Sequence, residues 1–207
     1  MCQAGFNMKI VFALILSAFS VFSVKASPQE TLKKVPENKV LVTSFTQTRH
    51  LKSIPTPLIS TGTLKLRPQK GLIWATVHPF PNTLLISKTG LYQIEDGKPQ
   101  ALEKASQNNT IFKTLSAILA GDFLKGLEGF DATLLPENNS RWHVKLTPQN
   151  LQLKSFITAL SIQGHEQVQK VTIYRADGDY DDIVFTKHKI VSLKRAFSTR
   201  ELGWLND

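Results

Sequence analysis

Across residues 62–79 the chain reads Gly-Thr-Leu-Lys-Leu-Arg-Pro-Gln-Lys-Gly-Leu-Ile-Trp-Ala-Thr-Val-His-Pro, two alternating runs on either side of an Arg-Pro turn. Leu64 and Leu66 fall on one side and Thr63 and Lys65 on the other, then Leu72, Trp74 and Thr76 alternate with Ile73, Ala75 and Val77. This two-residue period predicts neighbouring antiparallel strands in a curved sheet with one apolar face.

Upstream, residues 27–35 suit a short helix with Pro28 in its first turn, ended by Pro36. Residues 40–50 alternate and are rich in β-branched side chains, which predicts a strand, and Ile54-Pro55-Thr56-Pro57 is expected to break it. Downstream a meander continues through strands at 83–87, 91–95 and 100–102, with Asp96-Gly97 as the strongest short hairpin signal.

The period then changes. Ile111, Phe112, Leu115, Ile118 and Leu119 recur at the spacing of one helix face, with Asn109 as N-cap and Gly121 as stop, and a second short helix is expected at 122–127. Strand texture returns at 130–135, 141–146, 155–163, 168–175 and 180–188, with Asn138-Asn139 as one turn and Pro148 as one stop. The tail at 195–207 places Phe197, Leu202, Trp204 and Leu205 where a last short helix can dock. Helices that interrupt a run of strands argue for an α+β, mostly β fold of roughly ten or eleven strands, mostly antiparallel.

The first residues stand apart from this pattern. Lys9 precedes an uncharged apolar run at 10–24, and Val24-Lys25-Ala26 supplies a cleavage site, which predicts an export leader over 1–26. The run is shorter than the ~20 residues of a membrane span, so a membrane anchor is the lesser alternative. Removing 26 of 207 residues leaves 181, read as one domain over 27–207. Cys2 is the single cysteine and lies in the leader, so the exported chain has no disulfide, reactive thiol or zinc-thiolate site.

The net charge is +9, and about +7 without Lys9 and Lys25. A basic exported protein is drawn to anionic head groups and acidic partner patches; nucleic acid is not an expected partner. Because Lys and Arg are scattered along the chain, a solvated basic face is the competing explanation.

Signatures of chemistry are missing. There is no Gly-x-Ser-x-Gly elbow and no glycine-rich phosphate loop. His50, His78, His143, His165 and His188 never sit at metal-ligand spacing, and exposed strand-end histidines explain them. Asp177, Asp179, Asp181 and Asp182 are dense enough to suggest calcium, but a hairpin turn facing water explains them without an ion. No catalytic residue, cofactor or metal site is expected. What remains is a large apolar sheet face and an amphipathic helix able to cover it, enclosing either a sealed core or a cavity for an apolar guest.

An ordered series of short motifs bears on that choice. Phe45-Thr46-Gln47, Gly62-x-Leu64, Arg67-Pro68, Trp74, Pro79, and Leu85-Ile86-Ser87 before Gly90-Leu91 resemble the N-terminal half of LolA, the family of periplasmic lipoprotein carriers of Gram-negative bacteria. Residues 112–119 resemble its lid helix, and Leu146-Thr147-Pro148 with the following strand resembles its second half. The resemblance implies an unclosed antiparallel β-barrel of about eleven strands, with a helical lid over an apolar cavity that takes lipoprotein acyl chains. It implies no catalysis. At ~0.8 kcal/mol per buried methylene, three acyl chains in water cost tens of kcal/mol, which is why such cargo needs a shield.

By the same resemblance Arg67 is the lid latch, whose planar guanidinium holds the empty cavity shut. Leu64, Leu66, Leu72, Trp74, Leu115, Ile118 and Leu119 become candidates for lining the cavity or its lid, with plain core packing as the alternative for Leu72. The implied partners are lipoprotein acyl chains or another lipid, an inner-membrane transporter that loads the carrier, and an outer-membrane receptor that unloads a monomer in the periplasm. Three departures stand out: one more residue between Arg67 and Trp74, an N-terminal helix broken by Pro36, and the tail at 195–207 in place of a strand-rich extension. They fit a divergent branch serving an inner-membrane exporter of a different lipid. The alternative from another class is a sealed-core interaction module that recognises a protein through its basic face. An exported hydrolase has no residues to name.

Overall fold

A computed structural model describes residues 27–102, 106–137 and 141–205. The leader at 1–26, with Cys2, and the Asn138-Asn139 turn lie outside the described residues. In chain order the elements are α1 (Pro28–Thr31), β1 (Lys39–Leu51), β2 (Ile54–Arg67), β3 (Gly71–His78), β4 (Asn82–Ser87), β5 (Leu91–Glu95) and β6 (Lys98–Ala101). Then come α2 (Ser106–Leu119), α3 (Phe123–Gly126), β7 (Phe130–Leu135), β8 (Trp142–Pro148), α4 (Leu151–Lys154), β9 (Ile157–Gly164), β10 (Val168–Arg175), β11 (Tyr180–Ser192), α5 (Leu193–Ala196) and α6 (Thr199–Trp204).

The strands form one eleven-stranded sheet in the order β6-β5-β4-β3-β2-β1-β11-β10-β9-β8-β7. Every pairing is antiparallel, and β1 joins the two meanders by lying between β2 and β11. β6 and β7 are not paired with each other, so the barrel stays unclosed, and the chain crosses from one edge to the other through α2 and α3. At the Asp96-Gly97 hairpin the two residues have φ of 50° and 75°, the left-handed pair that a two-residue turn matched to strand twist requires.

Both faces of the β2–β3–β4 region are covered. On the concave face, pairing Leu64 with Trp74 and Leu66 with Leu72 sets four apolar side chains beside each other. They join Leu41, Phe45, Ile86, Leu115, Ile118, Trp142, Leu160 and Phe185 in the main core. On the outer face Val40, Ile73 and Leu85 pack with Ala196, Phe197 and Leu205 of the C-terminal segment. The expectation of one apolar face is corrected here. The unbroken run Leu72-Ile73-Trp74 carries the signal, because a strand buried on both sides loses its alternation.

Three further expectations change. Residues 54–57 do not break a strand but open β2: the Lys52-Ser53 turn pairs Leu51 with Ile54, and pairing to β3 begins only at Thr61. Pro55 and Pro57 thus lie in a stretch with a free side, where a missing N–H costs no ladder bond. The N-terminal helix shrinks to Pro28–Thr31. α2 begins at Ser106, a turn earlier than Asn109, and α4, capped by Asn150 accepting from Leu153 N–H, was not expected.

Candidate functional site

The concave face owes its shape to a close backbone approach at Gly62. A Cβ there would meet the Ala75 carbonyl oxygen at 2.0 Å and the Phe45 ring at 2.7 Å. Only glycine leaves room for Phe45 to lie over β2, and Phe45 then packs on Trp74 with ring centroids 4.3 Å apart. Trp74 meets Phe185 edge-on at 6.2 Å, so β1, β3 and β11 share one aromatic patch. Leu72 is buried opposite Leu66, across the hairpin closed by the Pro68-Gln69-Lys70 turn.

α2 supplies the roof. Ile111, Leu115, Ile118 and Leu119 are buried in the same core as Leu64, Leu66, Leu72 and Trp74, so the structure brings the seven predicted apolar residues together. The helix ends as its glycine predicts: Gly121 has φ of 83°, its N–H donates to Ile118 O at 3.0 Å, and Asp122 N–H donates to Ala117 O at 2.9 Å. α3 follows directly, and Gly126 lets Ile118 pass, since a Cβ there would lie 2.1 Å from its Cγ1.

The N-terminal segment ties this end of α2 down. Val35 N–H donates to Ala120 O at 2.9 Å, while Lys33 N–H reaches Glu166 O on the β9–β10 turn at 2.9 Å. Among the described residues, no backbone hydrogen bond links α2 to a strand.

Arg67 ends β2, beside the roof. It shares a pocket of about 430 Å³ with Lys113, Ser116, Ala117 and Ala120 of α2 and its C-terminal end. The floor is apolar, from Val35, Leu66 and Ile86, and the rim is basic, from Lys34, Arg67, Lys70, Lys88, Lys113 and Lys125. Two carboxylates, Glu37 and Asp122, also line it. Lysines that look scattered in sequence are therefore gathered from five separate segments of the chain, a grouping that periodicity within any one segment cannot reveal.

At the far end of the concave face the greasy surface gives way to ions. Asp181 is fully buried, accepts from Arg49 Nε at 2.7 Å, from Gln47 Nε2 at 2.9 Å and from Arg175 at 2.7 and 3.0 Å. Burial pushes its pKa up, but hydrogen bonds from Arg49, Gln47 and Arg175 outweigh that and hold the carboxyl below its usual range. The reading of Asp181 as part of a water-facing turn is overturned. It lies within β11, and its partners sit 6 and more than 130 positions away in sequence. His143 is likewise no exposed strand end: it is part-buried, 2.7 Å from Ser161 Oγ. Among the described residues no group of histidine and acidic side chains is arranged to hold a metal, and no helix is long and apolar enough to cross a membrane.

A search of curated proteins found no match. Among solved structures, the LolA superfamily protein NE2245 from Nitrosomonas europaea aligns at 10% identity and a TM-score of 0.43, covering 83% of this chain and 94% of that one. MucB of Pseudomonas aeruginosa, solved in complex with MucA, aligns at 11% identity and a TM-score of 0.42, covering 80% of this chain but 58% of that one. The family described as outer membrane lipoprotein carrier protein LolA matches residues 37–198. That span takes in all eleven strands together with the α2–α3 roof, and the chain belongs to the LolA family.

Proposed function

We propose that this protein is a periplasmic carrier that takes up acyl chains of a lipoprotein, or of another lipid, between α2 and the concave sheet, and shuttles them from the inner toward the outer membrane. The observation that carries this reading is the roof itself. A wide apolar sheet face is covered by one helix held by side-chain packing, anchored at its C-terminal end, and free of backbone bonds to the strands among the described residues. Hydrophobic contact is non-directional, so an acyl chain can take the place of the helix against Leu64, Leu66, Leu72 and Trp74 with little loss. Arg67 serves as the latch between β2 and the roof. No covalent step is involved; loading falls to an inner-membrane transporter or exporter and unloading to an outer-membrane receptor.

Native mass spectrometry of protein purified from the periplasm tests the reading. Bound lipid or lipoprotein is expected, and Arg67→Leu should keep the fold, seen as an unchanged circular dichroism spectrum, while altering the fraction of protein that retains cargo. Protein that is empty in both forms would count against a carrier. The second reading, a sealed-core interaction module, draws on the close packing of the same seven residues in the closed state and would be favoured by that outcome.

A further inference from the structure

We propose that the basic-rimmed pocket between the β2–β3 turn, the β4–β5 turn and α2 seats an anionic headgroup, so that the cargo is an acyl-chain amphiphile bearing an oxyanion. The inference deepens the carrier reading and rests on it for the acyl part of the ligand.

Charge is the first ground. Of the two carboxylates on the rim, Glu37 is engaged by Gln69, and Asp122 lies 3.3 Å from Lys125. Lys34, Lys70, Lys88 and Lys113 have no carboxylate within ion-pair distance among the described residues. With six cations against two carboxylates, the rim carries a net formal charge of +4 and focuses a positive field on the concavity. Their chemistry fits a phosphate or carboxylate rather than a neutral or zwitterionic headgroup.

An orphaned polar group is the second ground. Ser116 lines this pocket, and its Oγ is buried with no hydrogen-bond partner among the described residues. A buried hydroxyl without a partner is costly and uncommon. An oxyanion at this place would accept a hydrogen bond from it.

Continuity with the interior is the third. Val35, Leu66 and Ile86 belong both to the pocket floor and to the core beneath α2. A headgroup held at the rim therefore aims its chain along the concave face. The volume of about 430 Å³ lies within the roughly 300–1,000 Å³ of small-ligand sites.

The test uses the full exported protein, with dihexanoyl-phosphatidylglycerol, dihexanoyl-phosphatidylcholine and inorganic phosphate titrated separately by calorimetry at low ionic strength. Phosphatidylglycerol should bind at least tenfold tighter than phosphatidylcholine, and the preference should narrow as salt screens the lysines. The double variant Lys88→Glu with Lys113→Glu, both exposed positions, should lower phosphatidylglycerol affinity tenfold or more. Lys145→Glu, exposed on β8, should leave it unchanged.

Equal affinity for the two lipids, or no response to the charge reversals, overturns the headgroup seat. So does inorganic phosphate binding as tightly as phosphatidylglycerol, because the site would then be for an anion alone. If cargo co-purifies but the charge preference is missing, the seat fails and the carrier reading stands. If the charge preference is present while exported protein is always empty, the seat is supported and the carrier reading fails.

Discussion

Two helical segments cover the two faces of one sheet, and they are attached in opposite ways. On the outer face α5 and α6 are fixed by directional contacts. Lys65 Nζ on β2 lies 2.7 Å from Glu201 Oε1, with both side chains mostly buried, and the same ammonium sits 5.8 Å from the Phe197 ring centroid. Ser198 and Glu201 form a reciprocal capping box at the start of α6. On the concave face α2 carries no acid, and its one charged residue, Lys113, has no ion pair among the described residues. An ion pair specifies one position, whereas apolar packing accepts any apolar body of suitable shape. The tail is thus fastened by directional contacts, and the proposed function makes the roof the replaceable cover.

The largest expected effect falls on the fastened side. Phe197→Ala removes a buried ring from the outer cluster and should cost about 3–5 kcal/mol of global stability in a urea melt. Leu115→Ala on α2 should cost about 2 kcal/mol or less in the same melt, yet speed amide exchange of α2 far more than that of the strands. Equal global losses for the two variants would erase the contrast. Glu201→Ala removes both the ion pair and half the capping box, and should cost about 1–2 kcal/mol.

Acid separates the two sides as well. Burial raises the pKa of Glu201, but hydrogen bonds from Lys65 and Ser198 prevail and leave it below its ordinary value, as with Asp181. A carboxyl with a depressed folded-state pKa adds stability above its ordinary value and loses it as pH falls through the folded one. The melting temperature should therefore drop below about pH 4, with exchange accelerating in α6 before it does in α2. The smallest effect is a gain. Ser116→Ala deletes the orphaned hydroxyl and should stabilise the empty protein by about 1 kcal/mol, read from thermal melts.

The strands and roof were legible because each declares its period within a few residues: Leu64/Leu66 against Leu72/Trp74 for the hairpin, and Ile111 to Leu119 for the helix. The latch role proposed for Arg67 comes only from the ordered motifs around it. What sequence hid is what long-range contact decides. Asp181 looks like one acid among four until β1 brings Arg49 beside it. Ile73 looks like an excess apolar residue until a tail more than a hundred residues later covers it. The four rim lysines without an ion pair become a group only when two turns, the α1–β1 connection and α2 meet.

The unclosed sheet has a consequence for life in a crowded compartment. A sheet that never closes leaves two rows of backbone donors and acceptors facing outward, a template on which another chain can stack. β6 blunts one margin by being four residues long, with Lys98 exposed and Pro99 unable to donate. β7 is also short, and Asp131 on it accepts from Gln149 at 2.9 Å. With a single cysteine, Cys2, no disulfide can form within the chain, so solubility during folding rests on these two short margins, and lengthening either would invite fibre-like self-association.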